Sequence, residues 1–516
     1  MQDAFSSLAL ANLLYLRPWT TKFLVYGAEA TWSRRDPAPR EYGAQMLAVL
    51  LVAAAFYALF RTIRHLQYWS GGLRRAIGMA TASALCAIPA GLLTLNNPFG
   101  DVRGRYALAA GVISVCAAGV LFATGWRTPL RVLAILLSAT SPTMLFTFGK
   151  SLVIMTTDDP RSFAAEPSAP RLTPGHAAPH VVWVIFDEWD EELSFQQRPP
   201  SVKLPELDRL RAESFYSDSA FTPGPQTVIS MPALTIGKRV LGFESDGPDD
   251  EKLYLAGATT AVPWRSSPTV FSAARGLGMN TGVVGWYIPY CRVIGSSLTG
   301  CENHNDSEYF TDRSFPQLTL NSIRSLAEPG LRSPFGQTLS QKGHAWLFHR
   351  LLDASESMLL KQRYNLTLLH LPVPHKPFFY NAATGADDLD AKPSLRLSNG
   401  LVGYFDALAL VDRTVGRMRR DLEAAGLWED TTFLLSADHF LRARTKLDGH
   451  ANSRYVPFIV KLAGQHESVR GETPFNALLT HDLLLAILKR EVSTPKDVAN
   501  WITAHRAQFP LNWNAP

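Results

Sequence analysis

The sequence predicts an α-helical transmembrane region followed by an α/β domain with a mostly parallel central sheet. Long apolar runs concentrate before about residue 155, a Pro/Ala-rich stretch follows, and short apolar segments alternate with helical patterns from residue 181 onward. At 516 residues the chain exceeds one ordinary compact domain and has room for two or three. The expected organisation is a membrane region over 1–155, a linker over 156–180 and an external domain over 181–516.

Segments 42–60, 76–96, 106–125 and 129–155 are each apolar enough to cross a bilayer, which takes about 20 residues. They lack the one-sided period of a helix packed on a soluble core. Residues 5–30 read as a fifth span or an interfacial helix, because "LALANLLYL" runs into Arg17, Lys22 and Glu29. The basic loops "RTIRHLQYWSGGLRR" and "GWRTPLR" belong on the cytoplasmic side. Arg34, Arg35 and Arg40 run against that scheme. The expectation is a multi-pass protein of the cytoplasmic (inner) membrane with its polar half on the periplasmic side.

Residues 156–180 carry prolines without apolar periodicity and read as a semi-extended linker. Mean hydropathy is near zero. The formal net charge of +5 is small, and no Lys/Arg tract with interleaved aromatics occurs, which excludes nucleic acid as a partner. Four cysteines are too few for a disulfide scaffold. Cys291 and Cys301 flank "CRVIGSSLTGC", a local disulfide in an oxidising compartment or two free thiols otherwise.

In the polar half the strand candidates are 181–186, 281–286, 366–371, 431–436 and 456–462. The clearest helix, about 399–425, repeats Leu401, Phe405, Leu408, Val411, Val415, Met418 and Leu422 on one face. Continuous apolar strands with intervening helices imply a parallel sheet covered on both faces. Ligands gather at the carboxyl ends of such strands. There the chain places Asp187 and Glu188, and again Asp438 and His439. Both pairs offer metal-ligand types, although an acid at a strand end is most often a solvated loop residue. Between them, "FTPGPQTVISMPALTIGKR" leads a Gly/Pro-rich loop into a helix start, with Thr227 at or near the N-cap. A hydroxyl at that position is a plain cap, or a nucleophile beside a cation.

Together these pieces resemble the sulfatase-like branch of the alkaline phosphatase superfamily. The segments that carry the resemblance are "VIFDE", "TVISMPALTIG", "SADH" and the closing "THDLLLAIL", in family order across about 181–490. Formylglycine sulfatases need Cys or Ser followed by x-Pro-x-Arg, whereas Met231 stands here at the Arg position. "T-x-x-S-x-P", with Thr227, Ser230 and Pro232, is similar to phosphoethanolamine transferases. Lipoteichoic-acid-synthase-like phosphoglycerol transferases share the plan of spans followed by an external catalytic domain.

Carried over, the resemblance implies Glu188, Thr227, Asp438 and His439 as metal ligands. Asp187 joins the candidates because the family pattern has Gly there. Thr227 is then the nucleophile. "LHLPVPHKPFFYN" supplies His375 as substrate-binding or leaving-group-protonating histidine, while His370 reads as a packed strand residue. His450 fits a phosphate contact, a second metal or an ordinary loop. Lys376 and Arg454 are basic candidates for a phosphate contact. The donor set suits Zn2+, with Mn2+ next. The implied partners are a phospholipid donor and an envelope glycan or lipid acceptor, with release to water as the alternative reaction.

Overall fold

The computed structural model describes residues 2–15, 19, 39–66, 72, 135, 139–157, 169–173, 178–245, 251–305, 308–311, 313–324, 326, 334–360, 364–389, 401–444, 449, 451 and 454–511. The chain divides into two compact units. One holds residues 1–25, 36–160 and 310–337; the other holds 26–35, 161–309 and 338–516.

In the first unit the helices Gln2–Leu14, Pro39–Leu66 and Pro142–Thr157 pack together with the helix Phe315–Arg324. Among the described residues only Pro39–Thr62 is long and apolar enough to cross a bilayer. Its Leu50, Leu51 and Tyr57 are exposed, as are Leu145, Phe146, Leu152 and Val153 of the third helix. Several polar groups between the helices bond one another, which spares them the cost of burial unpaired. Asn12 Oδ1 accepts Trp19 Nε1–H (2.9 Å) and the Thr147 hydroxyl (2.9 Å), and Tyr15 OH donates to Ser322 O (3.1 Å).

Of the expected spans, 42–60 falls within the helix Pro39–Leu66. The runs 76–96 and 106–125 lie outside the described residues, as do 129–134 and 136–138 of the run 129–155. The Phe315–Arg324 helix buries Leu318 and Thr319 within the first unit.

The second unit is built on strands β1 His180–Phe186, β2 Phe215–Phe221, β3 Val240–Ser245, β4 Glu251–Leu255, β5 Val262–Pro263, β6 Thr281–Trp286, β7 Gly300–His304, β8 Leu366–Leu371, β9 Tyr380–Asn381, β10 Ala386–Asp387, β11 Thr431–Ala437, β12 Tyr455–Lys461, β13 Val469–Gly471 and β14 Phe475–Asn476. A nine-stranded sheet runs β13-β2-β12-β11-β1-β8-β6-β7, with β14 also on β2. The block β11-β1-β8-β6-β7 is parallel throughout. β12 pairs antiparallel with both β11 and β2, so the sheet is mostly, not wholly, parallel. β1 is central, with Val181 through Phe186 buried and Trp183 fully so. Its β-branched and aromatic run has no polar face because helices cover both sides.

Candidate metal centre and nucleophile

Strand register assembles the site. Phe186 at the end of β1 pairs with Ala437 at the end of β11 and with Leu371 at the end of β8. The next residues on β1 and β11, Asp187 and Asp438, leave the sheet as neighbours, and His439 follows at once. Thr227 arrives from another element, as the first residue of the helix Thr227–Ile236, every residue of which is buried. The N-cap is Gln226, one residue before the expected position. The loop ahead of it is tied to β11. The Thr222 hydroxyl, which can donate to either, lies 2.6 Å from Gly224 O and 3.0 Å from Asp438 O. A Cβ on Gly224 would fall 2.7 Å from the Ile229 side chain, so only glycine lets the loop cross the helix start this closely.

Asp187, Asp438 and His439 each present a ligand atom within 4.8 Å of the others. Thr227 Oγ1 lies 3.4 Å from Asp187 Oδ2 and 3.4 Å from His439 Nε2. His439 Nδ1 is 2.9 Å from Phe440 O. A carbonyl only accepts, so Nδ1 carries the proton and Nε2 turns its lone pair toward the carboxylates, the tautomer a metal ligand needs.

The electrostatics call for a cation. Asp187 Oδ1 and Asp438 Oδ2 are buried without a hydrogen-bond partner. Burial, then the charges of Asp438 and Glu188, push Asp187 well above the ordinary carboxylate range. Burial also opposes the Asp438 charge, but His439 and His370 beside it, with hydrogen bonds from Thr227 and the Glu188 N–H, hold it below that range. Two carboxylates, an imidazole and a hydroxyl form a donor set that a divalent cation completes.

Glu188 points elsewhere. Its φ of 65° is left-handed, costing a non-glycine residue about 1–2 kcal/mol. Neighbours hold the turn: Glu188 N–H donates to Asp438 Oδ1 (3.1 Å), and Tyr404 OH donates to Glu188 O (2.9 Å) while accepting the Asp190 N–H (2.9 Å). The turn aims Glu188 Oε1 at Arg442 N (3.1 Å) and Oε2 at His375 Nε2 (3.8 Å). Of the two adjacent candidate ligands, Asp187 lies with Asp438 and His439, while the reversal at 188 turns Glu188 toward Arg442 and His375.

His375 sits half-buried at the rim, its Nδ1 2.5 Å from Lys376 O, with burial lowering its pKa against the pull of Glu188. Its backbone is fixed by His344, whose Nε2 lies 3.0 Å from Pro372 O and 3.1 Å from His375 O. Lys376 and Arg454 are exposed. His450 lies outside the described residues. Cys291 and Cys301 form a disulfide.

The remaining acids of "DEWDEE" are structural. Glu191 bonds Tyr216 OH, Glu192 pairs with Arg444 (2.5 Å), and burial pushes Asp190 up to about 6. His370, Tyr290, Tyr404, Arg442 and His344 complete the surroundings. His370 alone had a legible position, one residue from a strand end.

Residues 179–487 match the family described as Sulfatase, more than half of the chain. The chain belongs to the sulfatase family. It is thus a sulfatase-like enzyme of the alkaline phosphatase superfamily, whose members depend on divalent metals. It is 23% identical over 332 residues to an ulvan-active sulfatase of Formosa agariphila, covering 60% of this chain and 61% of that one. It is 31% identical over 97 residues to GPI ethanolamine phosphate transferase 1 of Candida glabrata, 19% of this chain and 10% of that one. A solved protein in the alkaline phosphatase superfamily from Vibrio parahaemolyticus aligns at 14% identity with a TM-score of 0.40, covering 64% and 71% of the two chains. The chain spans less than two thirds of the length of either curated relative.

Proposed function

We propose that this sulfatase-family enzyme is a membrane-bound transferase. It moves a phospho-head-group, of phosphoethanolamine or phosphoglycerol type, from a phospholipid to a glycan or lipid acceptor of the cell envelope. The supporting observation is Thr227: an ordinary hydroxyl, 3.4 Å from both Asp187 and His439, stands where sulfate-ester hydrolases of the family need a modified Cys or Ser.

Asp187, Asp438, His439 and Thr227 would hold the divalent cation, Zn2+ by donor type with Mn2+ next. When bound, it neutralises charge on the phosphoryl oxygens and acidifies the Thr227 hydroxyl. Thr227 Oγ1 attacks phosphorus while the bond to the lipid oxygen breaks, leaving a phospho-Thr227 diester. His375, at the rim, gives a proton to the departing lipid alkoxide. It then takes one from the acceptor hydroxyl, whose oxygen attacks phosphorus and releases Thr227. The exposed apolar face of Pro39–Thr62 supports a location at a membrane.

The family match equally accommodates a hydrolase that uses water as acceptor on a phosphodiester or sulfuric ester. Intact-mass measurement after incubation with membrane phospholipids tests the proposal. The expected result is a head-group adduct on Thr227 that a glycan or lipid acceptor removes. Thr227→Ala should show no adduct and lose turnover at least about 1,000-fold. Unchanged turnover in that variant ends the proposal, and release of free head group without acceptor modification selects the hydrolase.

A further inference from the structure

We propose that Arg442 grips the anionic ester group of the substrate, its guanidinium fork holding the ester's free oxygens at the rim of the site. This rests on the reading of Thr227 as the nucleophile toward such an ester, beside Asp187, Asp438 and His439.

Arg442 lies three residues after His439, in the loop that leaves β11. Two bonds fix that loop to the site. His439 Nδ1–H donates to Phe440 O (2.9 Å), and Arg442 N–H donates to Glu188 Oε1 (3.1 Å). Phe440 and Leu441 are buried between these anchors, whereas the Arg442 side chain is 42% exposed, so the loop turns outward at this residue. Arg442 and His375 flank one carboxylate. Arg442 Nε is 3.5 Å from Glu188 Oε1, and His375 Nε2 is 3.8 Å from Glu188 Oε2. Arg442 therefore shares the rim with the group that serves the leaving oxygen.

The two arginines of "FLRAR" are used differently. Arg444 is buried and commits both terminal nitrogens, one to Glu192 (2.5 Å) and one to Gln197. It is a structural clamp. Arg442 meets Glu188 only through its backbone N–H and its Nε, and its terminal nitrogens have no partner among the described residues. A guanidinium presents parallel N–H groups in a rigid fork that matches two oxygens of a tetrahedral anion. Charge calls for such a group here. A divalent cation offsets Asp187 and Asp438, which leaves Glu188 as a third carboxylate facing an incoming anion, and Arg442 opposes that repulsion. Behind burial, which dominates at both groups, the Arg442 charge favours the Asp187 carboxylate and the neutral His375 ring, so its field reaches into the site.

The test uses the full chain in detergent, loaded with Zn2+, with inorganic phosphate as a calorimetric probe and bis(4-nitrophenyl) phosphate as a chromogenic diester. Arg442→Gln should weaken phosphate and raise KM for the diester, each about 10–100-fold, at unchanged metal content. Arg442→Lys keeps the charge without the fork and should lose a smaller factor of at least about three. It decides the matter if Arg442→Gln does not fold. A residue that serves only as counter-charge to Glu188 would lose its effect in a Glu188→Gln background. Persistence of at least about a tenfold effect there supports the contact with substrate, and its disappearance overturns it. Unchanged phosphate affinity and KM in folded Arg442→Gln overturn it too. If the wild type neither binds phosphate nor forms an adduct on Thr227, the reading of the site falls as well. If the adduct forms in wild type and in Arg442→Gln with the same dependence on donor concentration, only the present inference falls.

Discussion

Replacing Glu188 separates what the fold tolerates from what the chemistry requires. Its φ of 65° costs an L-residue about 1–2 kcal/mol, a cost that glycine avoids. Glycine returns about 0.4–1 kcal/mol of that through its freer unfolded chain. Glu188→Gly should therefore be more stable than Glu188→Ala by about 1 kcal/mol. In a unit of this size that is about 2 °C in Tm. Both variants lose the same contacts, Arg442 N at 3.1 Å and His375 at 3.8 Å, so these cancel in the comparison. Both should retain bound metal, because Asp187 and not Glu188 joins the cation group. Turnover should fall in both, since His375 loses the carboxylate that faces it. The assay is thermal unfolding of the purified variants in one detergent, with metal content measured on the same samples. Equal stability of the two, or a Glu188→Gly protein without metal, would refute the assignment of strain and of ligand.

Asp187→Asn should lose metal affinity by more than about 100-fold, read by metal analysis after dialysis; full occupancy would restore Glu188 as the ligand. Burial, then the charge of His375, depresses the His344 pKa to about 3, from an ordinary 6.5. Below about pH 6.5 the unfolded chain takes up that proton while the folded one does not. Stability should therefore fall by up to about 1.4 kcal/mol per pH unit on acidification, until the folded pKa is reached. His344→Gln, which keeps an N–H donor, should flatten the slope of urea midpoints between about pH 4 and 6.5, and parallel profiles would count against it. Cys291→Ser with Cys301→Ser removes a crosslink of sequence separation 10 and should cost about 3 kcal/mol, seen as a lower unfolding midpoint.

The resemblance to a sulfatase-like fold and the strand ends that build the site were legible in the residues. Uninterrupted runs such as "VVWVIF" and "LTLLHL" can only be two-face-buried strands when helices alternate with them. Carboxylates placed directly after such runs are a local pattern. β2 was not legible, because "FYSDSAF" mixes polar and apolar residues on a strand flanked by antiparallel and short partners.

Residue order alone determined that Asp187, Thr227, Asp438 and His439 were available for one centre. Only the tertiary structure decided which of two adjacent acids faces it. A left-handed turn at Glu188 is imposed by Tyr404 and Asp438 from more than 200 positions away, and no residue type announces it. The same holds for His370. In sequence it is one more residue of an apolar strand, and its direction is set by register with β1 and by a tyrosine 80 positions distant. Local patterns encode which side chains leave a strand, whereas long-range pairing fixes where they point.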